Sequence, residues 1–133
     1  KHFEAFKEVY GFVAGDDVLR FTAMLLSEVV DELGTVNDFI GHAGGDNFII
    51  ITSERAAPQI RQRLKERFDE EVLSHYSFLD REQGYILAKD TAGKEQKSPL
   101  MSLAIGEVAP SRYEFADIRE ITELAAEDRR KNN

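Results

Sequence analysis

The chain has 133 residues, of which 42% are hydrophobic and 32% are charged, and it contains no cysteine. These values predict a single globular domain with a substantial core in a reducing cytoplasm, and they exclude disulfides and thiolate metal sites. The formal net charge of -8 argues against nucleic acid as a partner. No apolar run approaches the roughly 18 residues that a membrane-spanning helix needs, and no membrane contact by this segment is expected.

Two helices are predicted in the first part of the chain. Apolar residues from Phe3 onward predict a short helix that ends near Gly11. Apolar residues at helical spacing predict a longer helix from about Asp17 to Leu33, which Gly34 closes.

The segment 38–51 predicts a β-hairpin with an acidic residue at its tip. Two apolar runs flank Gly44-Gly45-Asp46-Asn47, whose residue types are typical of tight turns. Paired glycines let a phosphate or metal approach the backbone, and a carboxylate beside them can hold a divalent cation. The alternative interpretation is a tight turn without a ligand.

Further elements are predicted in the second half. Ser53, with Pro58 a few residues later, marks the start of a third helix that has apolar residues on one face as far as Val72. The segments 84–88 and 100–105 are strand-like and are separated by a turn at 90–94, which predicts a second hairpin.

An amphipathic helix from about Phe115 to Arg130 completes the order of elements. This order predicts an α+β fold in which helices pack on one mostly antiparallel central sheet.

Two parts of the chain then carry a family pattern. Residues 1–19 align without a gap with the last 19 positions of D-x-D-x-F-K-x-x-N-D-x-x-G-H-x-x-G-D-x-x-L, and the hairpin tip reads Gly44-Gly45-Asp46-Asn47-Phe48. The matching upstream residues are Phe3, Gly11, Gly15, Asp16 and Leu19. In these residues, and in Ser102-Leu103-Ala104-Ile105-Gly106, the chain resembles the GGDEF family of bacterial diguanylate cyclases. A generic ferredoxin-like fold with chance matches is the alternative.

The resemblance implies a ferredoxin-like nucleotidyl-cyclase sandwich with an extra β-hairpin, and a site that joins two GTP into cyclic di-GMP. In active members, the third signature residue and an aspartate on the first strand hold two Mg²⁺ or Mn²⁺ ions. Asp46 is implied as the catalytic and metal residue here, and Asn47 occupies the fourth signature position. The strand aspartate would lie two positions before Lys1.

The nucleotide-binding residues implied by the resemblance are Phe3, Glu4, Lys7, Asp16, Gly44 and Gly45. Asp16 matches the aspartate that accepts hydrogen bonds from guanine, although helix capping is an alternative role for it. Lys7 stands where the family has the guanine-binding asparagine, Glu4 replaces a lysine, and Glu8 follows in place of an aspartate. Asn47 is neutral where the family has an acidic residue, so it cannot act as a base.

The family's product-inhibition site is also altered. Its R-x-x-D motif corresponds to Thr35-Val36-Asn37-Asp38, which lacks the arginine that grips phosphate with two hydrogen bonds. His42 stands where a further arginine is common. A histidine can contact phosphate at low pH, but a hairpin residue with local bonds is the favoured interpretation.

These features predict one GGDEF-like domain spanning residues 1–133, truncated in its first strand and cut from a larger multidomain signalling protein. We expect a degenerate regulatory, GTP-binding or dimerising module of cyclic di-GMP signalling. The alternative is an active cyclase that works as a homodimer, with each subunit presenting one GTP to the other. GTP or cyclic di-GMP is the implied ligand.

Overall fold

The computed structural model describes residues 1–35, 38–108 and 118–131, with side chains in the last helix from residue 123 onward. The elements in chain order are α1 (Phe3–Tyr10), α2 (Phe12–Leu33), β1 (Phe39–His42), β2 (Phe48–Ile51), α3 (Ala57–Glu71), a 3-10 helix (Val72–His75), α4 (Phe78–Gln83), β3 (Tyr85–Lys89), β4 (Glu95–Pro99) and α5 (Ile118–Lys131). None of the described helices combines the length and the apolar character that crossing a membrane requires.

The α+β class and the antiparallel pairing are confirmed. β1 pairs with β2, and Phe39 lies opposite Ile51. β3 pairs with β4, and Tyr85 lies opposite Pro99. Within the described ranges, however, the strands form two separate two-stranded sheets and not the one central sheet that the order of elements predicts.

The second helix begins earlier than its apolar pattern predicts. α2 starts at Phe12, directly after Gly11, whose φ of 96° ends α1 and redirects the chain. Phe12 and Val13 are mainly exposed, so they add nothing to the buried stripe that marks a helix in sequence. Asp16 consequently lies inside α2, and the capping role considered for it is wrong.

The second strand of the later hairpin was also misplaced. The turn at 90–94 is present, but β3 pairs with the polar segment Glu95–Pro99 and not with 100–105. The pairing register continues directly from the turn, so turn geometry selects the partner strand despite its low hydrophobicity. Met101 instead donates its backbone N–H to the buried Tyr76 hydroxyl at 2.8 Å.

Two helix starts show how local hydrogen bonds shape the chain. α3 begins at Ala57 and not at Ser53, whose carbonyl accepts hydrogen bonds from the N–H groups of Ala56 and Ala57 in the turn before it. The short α4 was not predicted. Ser77 caps it by accepting from the Asp80 N–H at 3.3 Å, and a left-handed Gly84 ends it.

The final helix is described from Ile118 to Lys131. The predicted helical residue Phe115 lies outside the described residues, as do Val36 and Asn37 of the altered inhibition motif.

The core lies where α1, α2, α3 and β3 meet. Its most deeply buried side chains are Phe6, Leu25, Val29, Val72 and Ile86. An aromatic cluster extends it, because the Phe6 ring stacks on Tyr10 at 4.7 Å and meets the Tyr76 edge at 5.2 Å. This packing fixes α1 and the start of α2 beside the rest of the domain.

Candidate functional site

The signature turn has a backbone that glycine favours. Gly44 and Gly45 have φ values of 96° and 56°, in the left-handed region that other residues rarely adopt. The Asn47 N–H donates to the Gly44 carbonyl at 3.0 Å, and the Ala43 N–H donates to the Asn47 carbonyl at 2.9 Å. A Cβ atom on either glycine would lie in open space, so φ and not crowding explains these two residues. The space above the turn is open to a ligand.

Asp46 presents an exposed carboxylate at this tip. Among the described residues, no side chain forms a hydrogen bond or ion pair with it. Burial lowers the pKa of the α-amino group of Lys1, and the negative charge of Asp46 partly opposes that effect, so the two charges lie within electrostatic range of each other. The same amino group donates to the Ser102 carbonyl at 2.9 Å. The beginning of the chain thus lies near the signature turn.

Asn47 is contacted by the last helix. The Arg129 guanidinium donates a hydrogen bond to the Asn47 side-chain oxygen at 2.8 Å. Gly106 allows this helix to come near, because a Cβ there would overlap the Ala125 carbonyl and lie 2.5 Å from the Arg129 backbone nitrogen. The last helix therefore places a cation at the turn, which sequence reasoning missed. The sequence feature that could have indicated this contact is the run of basic residues at the end of α5, at positions 129–131.

The described residues do not complete a metal site. They contain no group of three or more Asp, Glu or His side chains placed to hold a metal ion. Mg²⁺ and Mn²⁺ take six ligands, mostly oxygen, and Asp46 offers one carboxylate. The residues present therefore do not fit either ion by themselves, and phosphate oxygens and water would have to supply most of its ligands.

A second group of the predicted site residues lies on α1. Lys7 forms an ion pair with Glu4 at 3.1 Å, and its ammonium lies 5.0 Å from the centre of the buried Phe3 ring. Gly15 of α2 lies against this group and leaves room for it, since a Cβ there would come within 2.6 Å of the Lys7 side chain. The structure thus brings Phe3, Glu4, Lys7 and Gly15 together. Asp16 follows directly on α2 and is half-buried.

Glu8 lies on another side of α1. One of its carboxylate oxygens accepts a hydrogen bond from the Lys89 backbone N–H at 3.2 Å. It therefore ties α1 to the end of β3 and does not join the group formed by Phe3, Glu4 and Lys7.

Asp38 connects the first hairpin to the end of α2. Its carboxylate accepts hydrogen bonds from the Thr35 hydroxyl at 2.7 Å, the Thr35 backbone N–H at 2.8 Å and the Thr52 hydroxyl at 2.8 Å. The Thr35 hydroxyl bond is the main reason that the pKa of Asp38 lies below its ordinary value. A Cβ on Gly34 would overlap this carboxylate. The last acidic residue of the altered inhibition motif therefore has a structural function.

His42 also makes local contacts. Its Nε2 atom lies 2.8 Å from the Gly45 carbonyl, and its ring stacks on Phe48 at 4.7 Å. His42 and Phe48 are directly paired across β1 and β2. These contacts agree with its interpretation as a hairpin residue.

The comparison with protein families identifies one match. A family model described as "Diguanylate cyclase, GGDEF domain" matches residues 1–86. This range begins before α1 and reaches β3, so it contains the signature turn and both groups of candidate residues. No curated protein and no solved structure matches the chain significantly.

Proposed function

The chain belongs to the diguanylate cyclase GGDEF-domain family, and we propose that it is a degenerate member that binds GTP and regulates cyclic di-GMP signalling without efficient synthesis. Membership in the family places it in this signalling system. Loss of synthesis and retention of nucleotide binding are the proposed refinements.

The contact between Asn47 and Arg129 carries this proposal. At the fourth signature position, the family's acidic residue would offer a negative charge, whereas Asn47 offers a neutral amide oxygen. That oxygen already accepts a hydrogen bond from the α5 guanidinium at 2.8 Å. Asn47 therefore stabilises the turn and is poorly suited to be a base or a charged metal ligand.

Features that favour nucleotide binding are nevertheless present. The open backbone at Gly44 and Gly45 allows a phosphate to approach, and Arg129 places a positive charge beside the turn. Asp46 is the candidate protein ligand for a divalent ion that arrives with the triphosphate. A bound ion would supply charge neutralisation between Asp46 and the phosphates.

Base recognition is expected to be less selective for guanine. Asp16 can accept hydrogen bonds from the guanine N1 and N2 groups, as the family's aspartate does. Lys7 cannot reproduce the paired donor and acceptor of an asparagine, and it is already paired with Glu4. We therefore expect a reduced preference for GTP over ATP.

Product inhibition at the altered motif is not expected. Thr35 lacks the guanidinium that binds phosphate, and it uses its hydroxyl to hold Asp38. Cyclic di-GMP should therefore not inhibit this domain by binding at the altered motif.

Thermal unfolding with and without GTP and Mg²⁺ tests the binding proposal. We expect GTP to raise the melting temperature by several degrees at about 100 times its Kd, because binding stabilises only the folded state. Asp46→Ala should remove most of this increase. Asp69→Ala is the matched control, since Asp69 is an exposed carboxylate on α3, away from the turn. An equal increase in all three proteins would reject the role of Asp46.

The synthesis proposal is tested by incubation with GTP and either Mg²⁺ or Mn²⁺. The chain should be assayed as it is and also with an added upstream segment that places an aspartate two positions before Lys1, where the family has its second metal residue. We expect cyclic di-GMP formation to be weak or absent. Robust formation would overturn the degenerate assignment.

The exposed, unbonded carboxylate of Asp46 favours a second candidate, an active cyclase. It requires an aspartate two positions before Lys1 as a second metal residue. It also requires a homodimer that aligns two GTP molecules, so activity per subunit should fall steeply on dilution. No detectable cyclic di-GMP at the highest protein concentrations, with that aspartate present, would exclude this candidate.

A further inference from the structure

An open groove of about 650 Å³ lies on the domain between α2, the end of α3, the 3-10 helix and α4. Its apolar walls include Phe21, Leu73 and Phe78, and its charged rim includes Glu70, Arg81 and Glu82. It shares none of the candidate nucleotide residues, so a role for it would be additional to the nucleotide site.

The apolar part of the groove has one fixed wall and one exposed wall. The Phe21 ring packs on Phe68 at 5.7 Å and on His75 at 5.0 Å, which holds it against the core. Phe78 is 65% exposed, which is unusual for a large aromatic side chain on a surface of mixed charge. Exposed aromatic residues that line a concavity are typical of binding surfaces.

The helix that carries Phe78 is firmly attached. The Tyr10 hydroxyl donates a hydrogen bond to the Asp80 carboxylate of α4. It also accepts one from the Ser77 backbone N–H at 3.0 Å. The exposed wall is therefore held in position before any partner binds, which reduces the entropic cost of binding.

The charged rim is predominantly acidic. Glu71 forms an ion pair with Arg67 at 2.7 Å, and Arg67 also forms an ion pair with Glu28. Within residues 1–35, 38–108 and 118–131, by contrast, Glu70 and Glu82 form no ion pair. The Arg81 guanidinium lies 6.0 Å from the Phe78 ring centre, which places it over the aromatic wall. Two carboxylates thus lack a cation of their own and flank an exposed aromatic side chain.

We propose that this groove docks an amphipathic, positively charged helix from a partner protein. Aliphatic side chains on one face of that helix would cover Phe21 and Phe78, and Lys or Arg residues beside them would contact Glu70 and Glu82. A helix of this kind presents apolar residues at three- and four-residue spacing, which suits a groove between helices. Opposite charges favour encounter and orient the helix.

The test uses the chain and a short labelled peptide that has Leu residues on one helical face and Lys residues elsewhere. We expect saturable binding measured by fluorescence anisotropy. A peptide with Glu in place of Lys should not bind, and a scrambled Leu/Lys peptide of equal charge should bind about tenfold more weakly. Equal binding of the ordered and scrambled peptides would overturn the proposal, because charge alone would then explain binding.

Two variants locate the binding site. Phe78→Ser and Glu82→Lys should each weaken binding of the ordered peptide by about tenfold. Leu79→Ser and Glu95→Lys are the matched controls, since Leu79 is 76% exposed on the same helix outside the groove and Glu95 is exposed on β4. Controls that weaken binding as much as the groove variants would place the peptide elsewhere and reject the proposal.

A second copy of the chain is the competing occupant. Sedimentation of the free protein over a range of concentrations should show no association that Phe78→Ser removes. If association is found and this variant abolishes it, the groove is a dimer contact and the peptide proposal is overturned. Unchanged far-UV circular dichroism in all variants ensures that folding does not explain the differences.

Discussion

The helical core and the signature hairpin of this domain differ in what holds them together. Leu25, Val29 and their neighbours are almost completely buried, and their position depends on packing from several elements. In the hairpin, Phe39 and Ile51 are 56% and 50% exposed, and the tip is held by backbone hydrogen bonds and a few side-chain contacts. The scaffold therefore depends on shape and burial, whereas any chemistry at the tip depends on individual residues such as Asp46 and Asn47.

The largest expected effect is in the core. Leu25→Ala should lower the free energy of unfolding by about 2 to 5 kcal/mol, because it removes buried methyl groups and leaves a cavity. Met24→Ala is the control, since Met24 is its neighbour on α2 but is 55% exposed, and should change stability by under about 0.5 kcal/mol. Urea unfolding measures both. Similar losses would show that burial does not distinguish the two positions.

The next effect concerns the backbone of the tip. Gly45→Ala should cost about 1 to 2 kcal/mol, because an L-residue is disfavoured at its φ of 56°. Gly84→Ala is the matched control, since Gly84 also has a positive φ, of 82°, but lies at the end of α4. Both variants should lose stability, while only Gly45→Ala should reduce the GTP-dependent rise in melting temperature. If both reduce that rise equally, the effect comes from general destabilisation.

Asp38 tests how the hairpin is attached to α2. Asp38→Asn should lower the melting temperature by a few degrees at pH 7, because the amide cannot replace the charged acceptor of the bonds from Thr35 and Thr52. The pKa of Asp38 is lower in the folded protein than its ordinary value of 3.8. Its stabilising contribution is therefore complete well above pH 3.8 and is lost as the pH falls through the folded-state value.

The two proteins should consequently differ in melting temperature at pH 7, and the difference should shrink as the pH falls below 3.8. Asp31→Asn on the exposed side of α2 controls for the change in net charge. A difference that does not depend on pH would contradict the role assigned to the Asp38 carboxylate.

The smallest effect is expected at the contact between the tip and α5. A double-mutant cycle of Asn47→Ala and Arg129→Ala should give a coupling free energy of about 0.5 kcal/mol, because the hydrogen bond is exposed to solvent. Arg130→Ala replaces Arg129→Ala in the control cycle and should show no coupling with Asn47. Zero coupling in the first cycle would mean that the contact contributes nothing to stability.

Local sequence signals located most of the elements correctly. The start of α1, the end of α2 at Leu33 and the first hairpin follow from short-range periodicity and turn residues. Errors arose where the deciding feature lay outside the pattern. The exposed Phe12 does not belong to the apolar pattern of α2, so that pattern predicts a start that is too late. The polar sequence of β4 does not indicate a strand, and only its pairing with β3 identifies it as one.

The candidate site shows the same division. The residues Gly44-Gly45-Asp46-Asn47 are also compatible with an ordinary tight turn, and the matching spacing from Phe3 to Leu19 is what identifies them as the family signature. No periodicity predicts that Asp38 joins Thr35 to Thr52, since those contacts depend on where the hairpin lies against α2.

The sequence alone determined the family, the α+β class and the turn on which a ligand would be sought, because these depend on residue identity and short spacing. Only the tertiary structure decided that Arg129 contacts Asn47 across 82 positions of chain. It likewise brought Phe21 and Phe78 from separate helices to one groove. Contacts of that kind follow from how helices pack around a shared core, and that packing depends on the whole set of buried side chains.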